Sequence, residues 1–192
     1  LEKDIKIFSV TEHDNVENIV KISKFAAKND IYYIPGVELS ATFEGRRLHM
    51  LGYNIDCDNQ KLGEFISKNT ILFRKEEDEG MEVEYPSPDK AIDVILASGG
   101  VPILAHAGAP FYNPDYRSLI DLMLDKGIRG LECYHPQNNR EVTDYCLKVS
   151  QSKNLIITGG SDYHGDCVPG RTLGMLNLEF GDIDLRQIIT IG

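Results

Sequence analysis

An α/β domain is what the sequence predicts, and three observations carry that reading. Short β-branched runs alternate with stretches whose apolar residues recur at the helical period, the pattern of βα units. The chain has 192 residues, 42% of them hydrophobic, enough for one well-buried core and so for a single domain over 1–192. Histidines and acids fall where several apolar runs end, the place at which βα units in a barrel gather their reactive groups.

Taken in order, Ile5 to Val10 reads as the first strand, and Val16, Ile19, Val20 and Phe25 mark a helix after it. Ile31 to Ile34 and Val37 to Leu39 are extended by composition. Residues 37–53 predict a hairpin turning at Glu44-Gly45, and a two-residue turn pairs Phe43 with Arg46 and Ser40 with His49. Glu38 shares a face with Ser40 and so lies diagonally beside His49. Residues 56–86 read as a short helical and irregular insertion, with one clear helix through Leu62, Phe65 and Ile66. Ser87-Pro88-Asp89 signals a helix start and Gly99-Gly100 its end. A buried strand over Val101 to Ala105 follows, then a helix through Leu119, Ile120 and Met123 that stops at Gly127. Ile128 to Tyr134 is strand-like, Val142, Tyr145, Cys146 and Val149 mark a helix, and Leu155 to Thr158 runs into Gly159-Gly160-Ser161.

Composition excludes some partners. The net charge is −10 with no run of lysines and arginines, which argues against gripping long nucleic acid through many phosphate contacts. A small phosphorylated substrate is compatible with that charge, because bound cations would supply positive charge locally. Cys57, Cys133, Cys146 and Cys167 show no CxxC spacing, as expected of reduced thiols in the cytoplasm. No apolar stretch has transmembrane length, so no membrane partner is expected.

The chemistry lies at the run ends. His13 follows the first strand, Glu38 follows Gly36-Val37, and His106 closes Ile103-Leu104-Ala105. Glu132 comes near the end of its run with His135 three residues on, and Asp162 and His164 follow Gly159-Gly160-Ser161. Each has an ordinary account when taken alone: Glu38 could pair with Arg46 or Arg47, and Asp162 could cap a helix. Together they are harder to dismiss, since imidazoles and carboxylates meeting in one pocket need cations to hold them. Mixed nitrogen and oxygen ligands without thiolate suit Zn, Mn or Fe and do not choose among them.

These residues resemble the PHP family, named for its polymerase and histidinol phosphatase members. The matching stretches are Thr11-Glu12-His13-Asp14, Pro35-Gly36-Val37-Glu38, His49-Met50-Leu51-Gly52-Tyr53 and Ala105-His106, with Gly130 to His135 and Gly159 to Gly165 completing the series. The resemblance implies a distorted (β/α)7 barrel with up to three divalent metals at the C-terminal ends of its strands. It implies that Glu38 bridges two metals, with His49 and His106 on one of them. Asp162 would bind the neighbouring metal, and His13 and His164 the third. The sequence is most similar to the bacterial nucleotide phosphoesterase branch.

Three departures are visible. The family opens with a strand bearing His-x-His, and none of the twelve residues before His13 is histidine, so the first βα unit is expected to be absent from this chain, as its Leu1 start suggests. Glu12 stands where Asp is usual, and the link from Tyr53 to Ser87 is shorter than the family's insertion there.

The expected reaction is hydrolysis of small phosphorylated metabolites, nucleoside mono- or bisphosphates, by a metal-bound hydroxide. His135 is the candidate acid for the leaving alkoxide, against the alternative of a surface residue before Pro136. Arg171 is the candidate phosphate contact, with Arg140 a weaker one. An exonuclease acting on oligonucleotide ends, a histidinol-phosphate phosphatase and a catalytically silent metal-binding module are the competing readings.

Overall fold

A computed structural model describes residues 5–112, 115–165 and 167–189. Among them the strands are β1 (Ile7–Phe8), β2 (Tyr32–Tyr33), β3 (Gly36–Phe43), β4 (Arg46–Tyr53), β5 (Val101–Leu104), β6 (Gly130–Tyr134) and β7 (Ile156–Gly159). The helices are α1 (Ile19–Lys28), α2 (Gln60–Glu79), α3 (Pro88–Ala97), α4 (Tyr116–Asp125) and α5 (Arg140–Lys153).

The hairpin forms in the predicted register, Phe43 opposite Arg46 and Ser40 opposite His49. Its turn residues Glu44 and Gly45 both take positive φ, 49° and 71°, the twist that a two-residue turn needs. β3 to β7 then form one five-stranded sheet in chain order, antiparallel through β5 and parallel from β5 to β7. β1 and β2 pair in parallel as a separate ribbon. Just past β1, a parallel bridge from His13 to Glu38 ties the ribbon's chain to the edge of β3.

The α/β class holds, but the expected (β/α)7 barrel is not closed among the described residues. Two of its would-be staves are only two residues long, and the outer edge of β7 is met by Asp184, whose N–H donates to Ile157 O at 2.8 Å. An open cavity of about 860 Å³ lies against both β1 and β7.

Alternation along the strands sends side chains to two sides of the sheet. Val37, Leu39, Met50, Leu104 and Leu131 pack in one cluster with Ile92 and Ile95 of α3 and Ile120 and Met123 of α4. Leu51, Tyr53, Ile103 and Ile156 form the second cluster. Leu51 and Tyr53 face the cavity, and so do Glu38, Glu132 and Thr158. Burying each large aliphatic side chain is worth about 1.5–3 kcal/mol, so the helix side anchors the sheet and leaves the other face free for polar groups.

Two elements differ from expectation. α1 buries Ile19 and Ala26, with Ile22 and Ser23 partly covered, while Val20 and Phe25 are exposed. Ile19, Ile22, Ser23 and Ala26 share the face that packs, whereas Val20 and Phe25 lie off it. α2 runs for 20 residues, well beyond Leu62, Phe65 and Ile66. Asn59 caps its start by accepting from Leu62 N–H, and Gly80 ends it in the left-handed conformation with φ 64°.

Candidate metal centre

All five histidines of the chain meet in one row. Ring centroids are 5.9 Å apart from His164 to His13, 4.9 Å from His13 to His49, 5.2 Å from His49 to His106 and 4.9 Å from His106 to His135. Strand ends and loops place them. His13 follows β1, His49 lies on β4 opposite Ser40, His106 comes two residues after β5, His135 follows β6, and His164 comes after β7.

Glu38, on β3, sits beneath the row. Its carboxylate lies 3.9 Å from His13 Nε2, 3.1 Å from His49 Nδ1 and 3.8 Å from His106 Nε2. Asp162 joins the two termini of the row, approaching His135 Nε2 at 3.4 Å and His164 Nδ1 at 3.3 Å. Glu132 of β6 is 3.4 Å from His106 Nδ1. Asp14, His106 and Asp162 take positive φ of 45°, 27° and 48°, so the backbone is strained at three places around the row.

The electrostatics follow from burial and these neighbours. Burial alone would raise the Glu38 carboxyl, but the adjacent His49 imidazole and the charges of His13 and His106 outweigh it and hold it below the ordinary range. Burial likewise opposes charge on Asp162, yet the adjacent His135 imidazole and the Arg171 charge hold that carboxyl well down. Burial pushes His13 below its usual value, which favours the neutral ring that a metal needs. Burial would also lower His106, but the hydrogen bond and charge of Glu132, together with Glu38, raise it.

The residues fit divalent cations. His13, Glu38 and His49 can each offer a ligand atom with all three within 4.8 Å of one another, and so can His106, Glu132 and His135. Glu38 Oε1 and His135 Nε2 are buried with no aligned hydrogen bond among the described residues. Buried polar atoms left this way cost energy unless another group satisfies them.

Of the expected ligands, His13, His49 and His106 gather about Glu38, and Asp162 lies with His164, which is itself next to His13. His164 is the most open of the expected histidines apart from His13, with side-chain exposures of 41% and 43%. His135 is 3% exposed, so the surface alternative is excluded. Arg171 pairs with the Asp162 carboxylate and donates to its backbone oxygen at 3.1 Å, beside the row. The Arg140 side chain is 95% exposed and pairs with Asp144.

Glu132, one of the acids the sequence placed near a run end but without a role, touches His106. Two contributors escaped the sequence reading of the site. Tyr112 accepts from His49 N–H at 2.8 Å while stacking on His106. Asn69 of α2 is fully buried and donates to Asp14 Oδ1 at 2.6 Å and to Ser40 O at 2.8 Å. Its place after Leu62 and Phe65, on the same stripe, was the available sign: an amide standing where an apolar residue would suffice. Burial raises Asp14, against the hydrogen bonds of Ser40 and Asn69 that lower it. Asn69→Ala should therefore cost about 1–3 kcal/mol by stranding buried acceptors. Urea denaturation of the two proteins measures this, and an unchanged midpoint would contradict it.

No family model matches the chain. A stretch of 84 residues, 44% of the chain, is 31% identical to the phosphoribosyl 1,2-cyclic phosphate 1,2-diphosphodiesterase of Eggerthella lenta, and it spans only 30% of that enzyme. A stretch of 72 residues is 28% identical to a 5'-3' exoribonuclease of Escherichia coli, covering 36% of this chain and 25% of that enzyme. Among solved structures, a candidate metal-dependent phosphoesterase of Bifidobacterium adolescentis superposes with a TM-score of 0.82 at 19% identity, over 99% of this chain and 88% of that one. A two-domain protein of Bacteroides vulgatus with a predicted PHP-like metal-dependent phosphoesterase gives a TM-score of 0.54 at 15% identity, over 80% of this chain and 42% of that one. The chain thus carries the fold of the PHP-like metal-dependent phosphoesterases, the family that its motifs resemble.

Proposed function

We propose that this chain hydrolyses phosphoesters of small phosphorylated metabolites, with nucleoside mono- or bisphosphates as the first candidates. The observation that carries the reading is the single row of five histidines with Glu38 buried beneath it. Glu38, His49 and His106 would hold one cation, Glu38 reaching a second beside Asp162, and His13 and His164 a third. Divalent cations there, Mn, Zn or Fe, would lower the pKa of water toward about 7 and neutralise phosphoryl oxygens.

The protein's own groups supply the rest. His135 Nδ1 accepts from Gln137 N–H at 3.1 Å, so the neutral ring carries its proton on Nε2, facing the Asp162 side of the site. That N–H is placed to donate a hydrogen bond to the oxygen of a departing alcohol and so stabilise its charge, the proton that oxygen takes up coming from solvent. Arg171 presents a guanidinium fork at the same end, where a phosphate would compete with Asp162 for it. We read the two sheets as arcs of one distorted (β/α)7 barrel, on the strength of the His13–Glu38 bridge. A cytoplasmic setting fits the free thiols of Cys57, Cys133, Cys146 and Cys167, and no described helix is long and apolar enough to cross a membrane.

Action on oligonucleotide ends is the second reading, favoured by the likeness to the exoribonuclease and opposed by the charge of −10. One panel separates them: a nucleoside monophosphate, a nucleoside bisphosphate, histidinol phosphate and a short oligonucleotide, each with Mn²⁺, Zn²⁺ or Fe²⁺ and after chelation. Metal-dependent release from the nucleotides, lost on chelation, is expected. Faster release from the oligonucleotide would favour the second reading. Metal binding with no hydrolysis of any substrate would sink both and leave a silent module.

A further inference from the structure

Glu132 lies on β6, one strand over from the β5 end that leads to His106, and is almost fully buried. Its Oε2 accepts from His106 N–H at 2.9 Å and sits 3.4 Å from His106 Nδ1. The opposite ring nitrogen, Nε2, faces His49 Nδ1 at 3.1 Å and Glu38 at 3.8 Å. The space for this carboxylate is provided by Gly160: a Cβ there would come within 2.7 Å of Glu132 Oε1. The backbone around it is tied as well. Asn138 donates to Glu132 O at 3.0 Å and accepts from Gly108 N–H at 2.9 Å, joining the loop after β6 to the loop after β5.

We infer that Glu132 is a positioning residue, whose carboxylate holds the proton of His106 on Nδ1 and aims the Nε2 lone pair toward Glu38. This rests on the metal centre proposed above. A neutral imidazole carries one N–H, and a carboxylate beside Nδ1 draws it there. His106 is thereby locked in the only tautomer that can ligate a cation from the Glu38 side. Its strained backbone, at φ 27°, is held by the same carboxylate through the N–H bond. The rival arrangement, in which Glu132, His135 and the His106 Nδ1 beside Glu132 ligate a cation directly, needs the His106 proton on Nε2. The two therefore make opposite statements about one observable.

The test is long-range ¹H–¹⁵N NMR of histidine-labelled, metal-free protein, at a pH where the ring is neutral, joined to Zn²⁺ titration. Wild type should show His106 as the Nδ1–H tautomer. Glu132→Ala should release it to Nε2–H, while Glu132→Gln, whose amide oxygen still accepts, should keep Nδ1–H. Gly160→Ala, which displaces the carboxylate without changing it, should also release the tautomer and carries the test if Glu132→Ala does not fold. Zn²⁺ affinity should fall about ten- to a hundredfold in Glu132→Ala with the number of bound ions unchanged. An Nε2–H ring in wild type, or Nδ1–H persisting in both Glu132→Ala and Gly160→Ala, overturns the assignment. Loss of a whole Zn²⁺ equivalent in Glu132→Ala overturns it too, by making Glu132 a ligand. Should wild type bind no Zn²⁺, the metal centre fails, and the tautomer measurement still decides the role of Glu132.

Discussion

Glu38→Gln should lower phosphoester turnover at least about a hundredfold and reduce the number of bound cations, because it removes the shared anion from among three imidazoles. Loss of a group that merely orients a ligand costs about ten- to a hundredfold, and loss of a ligand should cost no less. The neighbours at stake are His13, His49 and His106, at 3.9, 3.1 and 3.8 Å from its oxygens. A neutral amide there would leave cations facing only imidazole nitrogens on this side, with less charge to offset theirs. His49→Ala and His106→Ala should act in the same direction. The pH dependence has a definite sign. Glu38 and Asp162 are held below the ordinary carboxylate range, so both remain anionic well below neutral pH. Cation affinity should therefore weaken as pH falls through the histidine range, by proton competition at nitrogen rather than at oxygen. Turnover, metal content and melting temperature of Glu38→Gln, His49→Ala and His106→Ala check this together. Wild-type turnover at matched metal loading, in any of the three, would remove that residue from the centre.

His135→Ala should cost about a hundredfold or more on substrates with an alkoxide leaving group, the usual size of losing one hydrogen-bond donor to a developing oxyanion. Its Nε2 is the donor that matters, since Nδ1 is occupied by the Gln137 N–H. The dependence on leaving group distinguishes this from damage to the fold. A nitrophenyl ester departs without help from a proton, so its hydrolysis should fall much less than that of a nucleotide. Equal losses on both substrates would mean that His135 holds Asp162 in place and does not assist the leaving oxygen.

Much of the fold was legible because its instructions are local. The hairpin register follows from one two-residue turn, and α3 begins where Ser87 and Pro88 say it should. The apolar residues Val16, Ile19, Val20 and Phe25 marked a helix there, and only burial tells which of them face the core: Ile19 is covered and Val16 packs against it, while Val20 and Phe25 are exposed. Asn69 and Glu132 were harder. Asn69 acts on Asp14, 55 residues away, and Glu132 acts on His106, 26 residues away. No pattern along the chain records which distant acceptor a buried amide or carboxylate will meet.

By itself the sequence determined the kinds of candidate ligand atom and their order along the chain, and it placed His13, His106, His135 and His164 after apolar runs, since these depend only on residue type and short-range periodicity. Glu38, by contrast, lies inside β3 and not at its exit. Tertiary structure alone decided that five histidines stand in one row, that His135 is buried with its proton on Nε2, and that Glu132 backs His106. The reason is geometric. Which ring nitrogen faces a partner, and which carboxylate reaches it, depends on how neighbouring strands pack in space, and contacts of a few ångströms between residues far apart in sequence leave no trace in local periodicity.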